Sequence, residues 1–145
     1  MSLDFKLKED LEHSIEEKIV HTLRGIEETL NNVIASGISS DEIRIIIKSL
    51  KPGFSVLSQS WVLELLFLLL LSGPMSFNDI KRVLDINSKT LSIKLKTLEK
   101  YGFVSRKVLE GPPLRVIYSV TEHGKATALL SIPLLYYLFF KMGKS

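Results

Sequence analysis

The 145-residue sequence contains no cysteine. Disulfides, zinc–thiolate sites and thiol-based redox sensing are therefore closed to it. It also lacks a Gly-rich phosphate loop, a Ser–His–Asp set and paired carboxylates facing a pocket, so it reads as a non-enzyme without a cofactor. There is no internal repeat and no low-complexity tract. Long hydrophobic runs are missing too. The two most apolar stretches are residues 62–71 (VLELLFLLLL) and 128–140 (ALLSIPLLYYLFF). Both fall short of the roughly 18–20 apolar residues that span a bilayer. One contains Glu64 and the other Pro133, so each reads as a core or interface helix, and a membrane partner is not expected. The first residues, MSLDFKLKEDLEH, are charged throughout and do not form a signal peptide. A cytoplasmic location is the expectation.

What is present is ordinary in amount and unusual in placement. Apolar residues make up 46% and charged residues 24% of the chain, as in globular domains. The net charge of +3 hides an asymmetry. Residues 1–50 hold six basic and ten acidic side chains, a balance of −4; residues 51–145 hold thirteen and six, a balance of +7. A basic body behind an acidic arm points to nucleic acid as the partner of the body.

Periodicity supplies the elements. Leu7, Leu11, Ile15, Ile19, Leu23, Ile26, Leu30 and Val33 step by fours and threes, which predicts a long amphipathic helix over residues 3–35. Ser39, Ser40 and Asp41 offer N-caps for a short helix over 42–50, and Lys51-Pro52-Gly53 is expected to break the chain there. Residues 61–71 predict an apolar helix surrounded on all sides. Ser76-x-x-Asp79 resembles a capping box and opens a helix to Leu84, with Phe77, Ile80, Val83 and Leu84 inward. After Asp85-Ile86-Asn87 comes another helix, capped by Gly102. The period then falls to two: Val104 to Leu109 and Arg115 to Val120 predict a hairpin around Glu110-Gly111-Pro112-Pro113. Thr121 caps a last helix to Met142, with a kink expected at Pro133.

The stretch NSKTLSIKLKTLEKYG carries the chemistry. Leu91, Leu95 and Leu98 form its apolar stripe. Lys89, Ile93, Lys96 and Lys100 lie on the opposite face, flanked by Ser92 and Thr97, with no acid among them. Helix, tight turn, helix and hairpin is the order of a winged helix-turn-helix. A lysine row without carboxylates suits a helix lying between two phosphate walls. Ser88, Thr90 and Ser92, near the helix start, can approach base edges. Ile93 either touches a thymine methyl or leans on a neighbouring element. Arg106, Lys107 and Arg115 place further charge on the wing, for phosphate or minor-groove contact.

These residues also carry a family likeness. Trp61, Leu65, Leu68, Gly73-Pro74, Phe77-Asn78-Asp79-Ile80-Lys81-Arg82, Lys89-Thr90-Leu91-Ser92, Leu95-Lys96, Leu98-Glu99, Gly102-Phe103-Val104-Ser105-Arg106, Pro113, Arg115-Val116, Tyr118-Ser119-Val120-Thr121-Glu122 and Gly124 follow one another in order. The run resembles the HxlR family of winged-helix transcriptional regulators, relatives of the MarR family. It covers about residues 60–137. The resemblance implies a homodimeric regulator of duplex DNA, with dimer contacts from the terminal helices. Two departures stand out: the cysteine that family members often carry before the tryptophan is absent, and about fifty residues with an acidic balance precede Trp61.

Other groupings carry less. His13, Glu17 and His21 share a helix stripe amid Glu9, Glu12 and Glu16, and read as an exposed acidic face rather than a metal site. Tyr136, Tyr137, Phe139 and Phe140 read as core or dimer interface rather than as a ligand pocket. The expected protein is mostly α with a small β-hairpin wing. Residues 1–52 form a helical extension, a dimerisation or partner arm, and 53–145 a winged-helix domain with a C-terminal dimerisation helix. The expected partners are double-stranded DNA and a second copy of the chain; a small-molecule effector is left open and unspecified. The alternative is a winged-helix interaction module that does not read DNA and recruits another protein through the acidic extension or the apolar C-terminal helix, with membrane association of residues 128–140 as its weaker variant.

Overall fold

The computed structural model describes residues 2–138, with side chains described from Glu9 onward except Leu11. The expected helix end at Met142 and the pair Phe139 and Phe140 lie outside the described residues. Helices α1 (Ser2–Ala35) and α2 (Ser40–Leu57) are followed by α3 (Val62–Ser72), β1 (Met75–Ser76), α4 (Phe77–Leu84), α5 (Ser88–Lys100), β2 (Val104–Leu109), β3 (Arg115–Val120) and α6 (Glu122–Tyr136). The chain divides into two compact units, Met1–Lys51 and Pro52–Ser145.

In the first unit α1 ends as its sequence suggests: Gly37 takes φ +91° and its N–H donates to the Ile34 carbonyl at 3.1 Å. Ser39 then forms a reciprocal capping box with Glu42. The Glu42 N–H donates to Ser39 Oγ at 3.2 Å, and the Ser39 N–H to Glu42 Oε2 at 2.8 Å. Ile19 is buried, but Val20, Leu23, Ile26, Leu30, Val33 and Ile34 are exposed, as are Ile43, Ile45, Ile46, Ile47 and Leu50 of α2.

The expected break at Lys51-Pro52-Gly53 does not occur; α2 continues through Pro52 to Leu57. Proline's fixed φ is compatible with a helix, and the carbonyl that loses its partner is that of Lys48, on an exposed turn open to hydrogen bonding from solvent. The break comes later, at Ser58 to Trp61, where Trp61 takes φ +70°.

The second unit holds a core of Val62, Leu65, Leu66, Leu69, Ile80, Ile86, Leu91, Leu95, Leu98, Phe103, Val104, Tyr118 and Ala128. Each fully buried leucine or isoleucine contributes about 1.5–3 kcal/mol. α3 is its central helix, yet it is not surrounded on all sides: Leu71 is 82% exposed and Glu64 faces out. α4 begins at Ser76, whose Oγ accepts from the Asp79 N–H at 3.2 Å. The Asp79 carboxylate turns to Arg82 at 2.7 Å rather than back to Ser76, so this is a simple N-cap. Val83, expected inward, is exposed, because Ile80 and Leu84 already fill the inner side of this two-turn helix.

The hairpin has the expected strands, in antiparallel register from Val104 opposite Val120 to Leu109 opposite Arg115. A third strand was not anticipated. β1 pairs with β3, giving the order β1-β3-β2. Two residues are too few to show a period of two, which is why Met75 and Ser76 left no signal. Just past the end of β3, Thr121 Oγ accepts from the Gly124 N–H at 3.0 Å and donates to the Gly102 carbonyl at 2.6 Å. The Thr121 N–H donates to the Phe103 carbonyl at 3.0 Å, tying the start of α6 to the end of α5. α6 continues through Pro133 and passes into a wider π turn at Tyr137 and Leu138.

Candidate nucleic-acid interface

The turn between α4 and α5 is fixed from both ends. Asp85 takes the left-handed conformation at φ +49°, and the Ile86 N–H donates to the Lys81 carbonyl at 3.3 Å. Ile86 is buried, so the middle of the turn is pinned in the core. Asn87 caps α5: its Oδ1 accepts from the Thr90 N–H at 2.9 Å. At the other end Gly102, at φ +76°, closes a Schellman motif. Its N–H donates to the Glu99 carbonyl and the Phe103 N–H to the Leu98 carbonyl, both at 2.9 Å.

Between these caps α5 has two faces. Leu91, Leu95 and Leu98 are at most 1% exposed and lock the helix to the core. Lys89, Ile93, Lys96 and Lys100 form one exposed stripe, with Ser88 exposed at the helix start. Thr90, Ser92 and Thr97 are half-buried at its margins. The Thr97 hydroxyl donates to the Ile93 carbonyl at 3.0 Å, which leaves it acceptor lone pairs toward solvent but no proton. Ile93 is 52% exposed, so about half of its surface is open to solvent.

The stripe is electrostatically uncompensated. Among the described residues the ion pairs are His13–Glu17, Arg44–Asp41 and Arg82–Asp79, and none involves a basic residue of α5 or the hairpin. On the hairpin the register separates the three wing candidates. Lys107 lies opposite Ile117 and Arg115 opposite Leu109, so Lys107 and Arg115 share one face of the ribbon. Arg106 lies opposite Tyr118, on the other face. All three are exposed. Three basic residues outside the expected set also stand near this surface in sequence: Lys94, half-buried on α5, and Lys81 and Arg82, exposed on α4, with Arg82 paired to Asp79. All lie off the main stripe of α5, and a basic residue beside a stripe gives periodicity nothing to work with.

Among the described residues there is no group of three or more His, Asp or Glu side chains able to hold a metal ion. No single described helix is long and apolar enough to cross a membrane; α2 and α3 pass that measure only as a bent pair taken together.

Comparison with known proteins gives concordant results. The family model described as HxlR-like helix-turn-helix matches residues 56–135. The HTH-type transcriptional regulator YvaP of Bacillus subtilis is 40% identical over 74 residues, which are 50% of this chain and 68% of that protein. YodB, an HTH-type transcriptional regulator of the same organism, is 37% identical over 78 residues, 53% of this chain and 69% of YodB. The structure of reduced YodB superposes with a TM-score of 0.53 over 63% of this chain and 92% of YodB, at 32% identity. YodB has also been solved diamide-treated and quinone-bound. A MarR-family structure from Enterococcus faecalis gives a TM-score of 0.59 at 26% identity, covering 74% of this chain and 94% of that one. The matched segment 56–135 leaves α1 and nearly all of α2 outside it.

Proposed function

Because this chain belongs to the HxlR-like helix-turn-helix family of transcriptional regulators, we propose that it regulates transcription by binding specific double-stranded DNA, with α5 in the major groove and the β2–β3 wing on the backbone or minor groove. The observation that carries this reading is the exposed stripe of Lys89, Lys96 and Lys100, which has no carboxylate partner among the described residues. Three like charges on one helix face repel one another, and a duplex, whose phosphates flank the groove on both sides, relieves that repulsion. Ser88, Thr90 and Ser92 stand at the entry of α5 for base edges, and Thr97 at its margin. Lys107 and Arg115 contact the phosphates from one side of the wing, and Arg106 from the other. The test is a duplex selected from a random library, titrated at several salt concentrations. Tight binding that weakens steeply with salt supports the reading. Salt-insensitive or undetectable binding favours the interaction-module alternative.

The protein acts as a homodimer. A regulator that reads one face of B-DNA with two equivalent helices places them about 34 Å apart, one helical turn. Val20, Leu23, Ile26, Leu30, Val33 and Ile34 of α1 and Ile43, Ile45, Ile46, Ile47 and Leu50 of α2 are all exposed, and a second copy of the chain is the partner that would bury them. Light scattering at micromolar concentration is expected to give a dimer. Removal of residues 1–36 is expected to lower thermal stability or cause aggregation. Well-behaved monomers in both forms contradict this.

Thiol chemistry plays no part in its regulation. YodB has structures in reduced, diamide-treated and quinone-bound forms, but this chain has no cysteine. Diamide or peroxide, at doses that leave Met75 and Met142 intact, is expected not to change DNA binding. A rapid loss of binding reversed by a thiol reductant sinks that expectation.

A further inference from the structure

We infer that Ile93 is a specificity-determining residue that reads the C5-methyl group of a thymine in the major groove; this rests on the DNA-binding reading above. Ile93 is the one apolar side chain on the exposed stripe of α5, and it is 52% exposed. It contributes little to the fold from there. A β-branched residue on an exposed helix surface forgoes helix propensity that lysine, glutamate or alanine supplies, so packing and propensity both leave it unexplained.

Its position explains it. At 1.5 Å per residue, Lys89 lies about 6 Å and Lys96 about 4.5 Å from Ile93 along the helix axis, one on each side. Long, flexible lysine side chains reach outward to the phosphate walls. The short, branched isoleucine between them cannot, and it faces the groove floor. Most groups on the floor of the major groove are hydrogen-bond donors or acceptors; the thymine methyl is the large apolar one, against only a C–H edge on cytosine. An isoleucine held there desolvates the polar edges of the other bases without repaying their hydrogen bonds, and is repaid only by a methyl group. The restricted χ1 of a β-branched residue keeps that contact in one place.

The experiment uses the full chain and its own selected duplex. Enriched sequences are expected to show an invariant thymine in each half-site. Replacing that thymine with deoxyuridine removes only the methyl group, and is expected to weaken wild-type binding about fourfold per half-site, the value of one buried methyl-sized group. Ile93→Ala binds the thymine duplex more weakly and no longer distinguishes it from the deoxyuridine duplex; Ile93→Val retains the discrimination. Because Ile93 is exposed, these variants keep the wild-type fold, which circular dichroism checks. A deoxyuridine effect that is absent, or of equal size in wild type and Ile93→Ala at every thymine, overturns the inference while leaving DNA binding intact. Failure of the wild type to bind any duplex overturns the function on which it rests.

Discussion

Replacing Lys89, Lys96 and Lys100 together with alanine is expected, per recognition helix, to lower duplex affinity by about two to three orders of magnitude at 0.1 M salt and to flatten the slope of log affinity against log salt by about 2.7. The second figure follows from counterion release, since each lysine–phosphate contact contributes about 0.9 to the slope of log affinity against log salt. The first follows from the same slope extended from 1 M to 0.1 M. All three side chains are exposed, and none has an ion-pair partner among the described residues. Thermal stability should therefore stay level or rise, as like charges are removed and alanine is the better helix former. Fluorescence anisotropy across a salt series reads both quantities. A variant that binds as the wild type does, with the same slope, shows that the assigned face is wrong.

A single methyl group at Gly124 is expected to cost about 3 kcal/mol of stability, an overpacking penalty at the upper end of its range. A Cβ there would stand 2.0 Å from the Phe103 carbonyl oxygen and 2.9 Å from its carbon. Both are backbone atoms, so no side-chain rotation relieves the overlap. The same carbonyl accepts the Thr121 N–H, and the Phe103 ring stacks on His123 with centroids 4.9 Å apart. Moving Phe103 to admit a methyl therefore disturbs the start of β2 and the start of α6 together. Gly102→Ala is the control. Gly102 has open space around it but φ +76°, so alanine there costs only the left-handed strain, about 1 kcal/mol. Thermal melts followed by circular dichroism should rank wild type above Gly102→Ala and Gly102→Ala above Gly124→Ala. A Gly124→Ala protein as stable as the wild type contradicts the close approach of α6 to β2.

Where local chemistry and periodicity agree, sequence and structure coincide. Leu91, Leu95 and Leu98 are buried as their spacing indicates, and the alternation from Val104 to Val120 marks both strands of the hairpin. Asn87, Gly102 and Thr121 act at helix ends because short polar side chains and glycine do so whatever surrounds them. Tertiary context decided the rest. Pro52 reads as a breaker, yet the exposed turn around it tolerates the lost hydrogen bond. Val83 has an inward address on a helical wheel, but α4 has only two turns and Ile80 and Leu84 occupy its inner side. β1 exists only because β3 offers it an edge. The basic residues of the candidate interface are exposed on α5 and the hairpin, as their sequence positions suggested. Their division between the two faces of the wing was not legible, because it depends on which residue of β2 stands opposite which of β3.

We propose α5 and the β2–β3 wing as the DNA-binding surface. Amide chemical-shift mapping of the full-length protein, with and without a selected duplex, tests it most directly. The largest shifts are expected within Ser88–Lys100 and at Arg106, Lys107 and Arg115, with the lysine side-chain signals of residues 89, 96 and 100 moving alongside. Large shifts confined to α1 and α2, with α5 and the wing unmoved by a duplex the protein demonstrably binds, would contradict it.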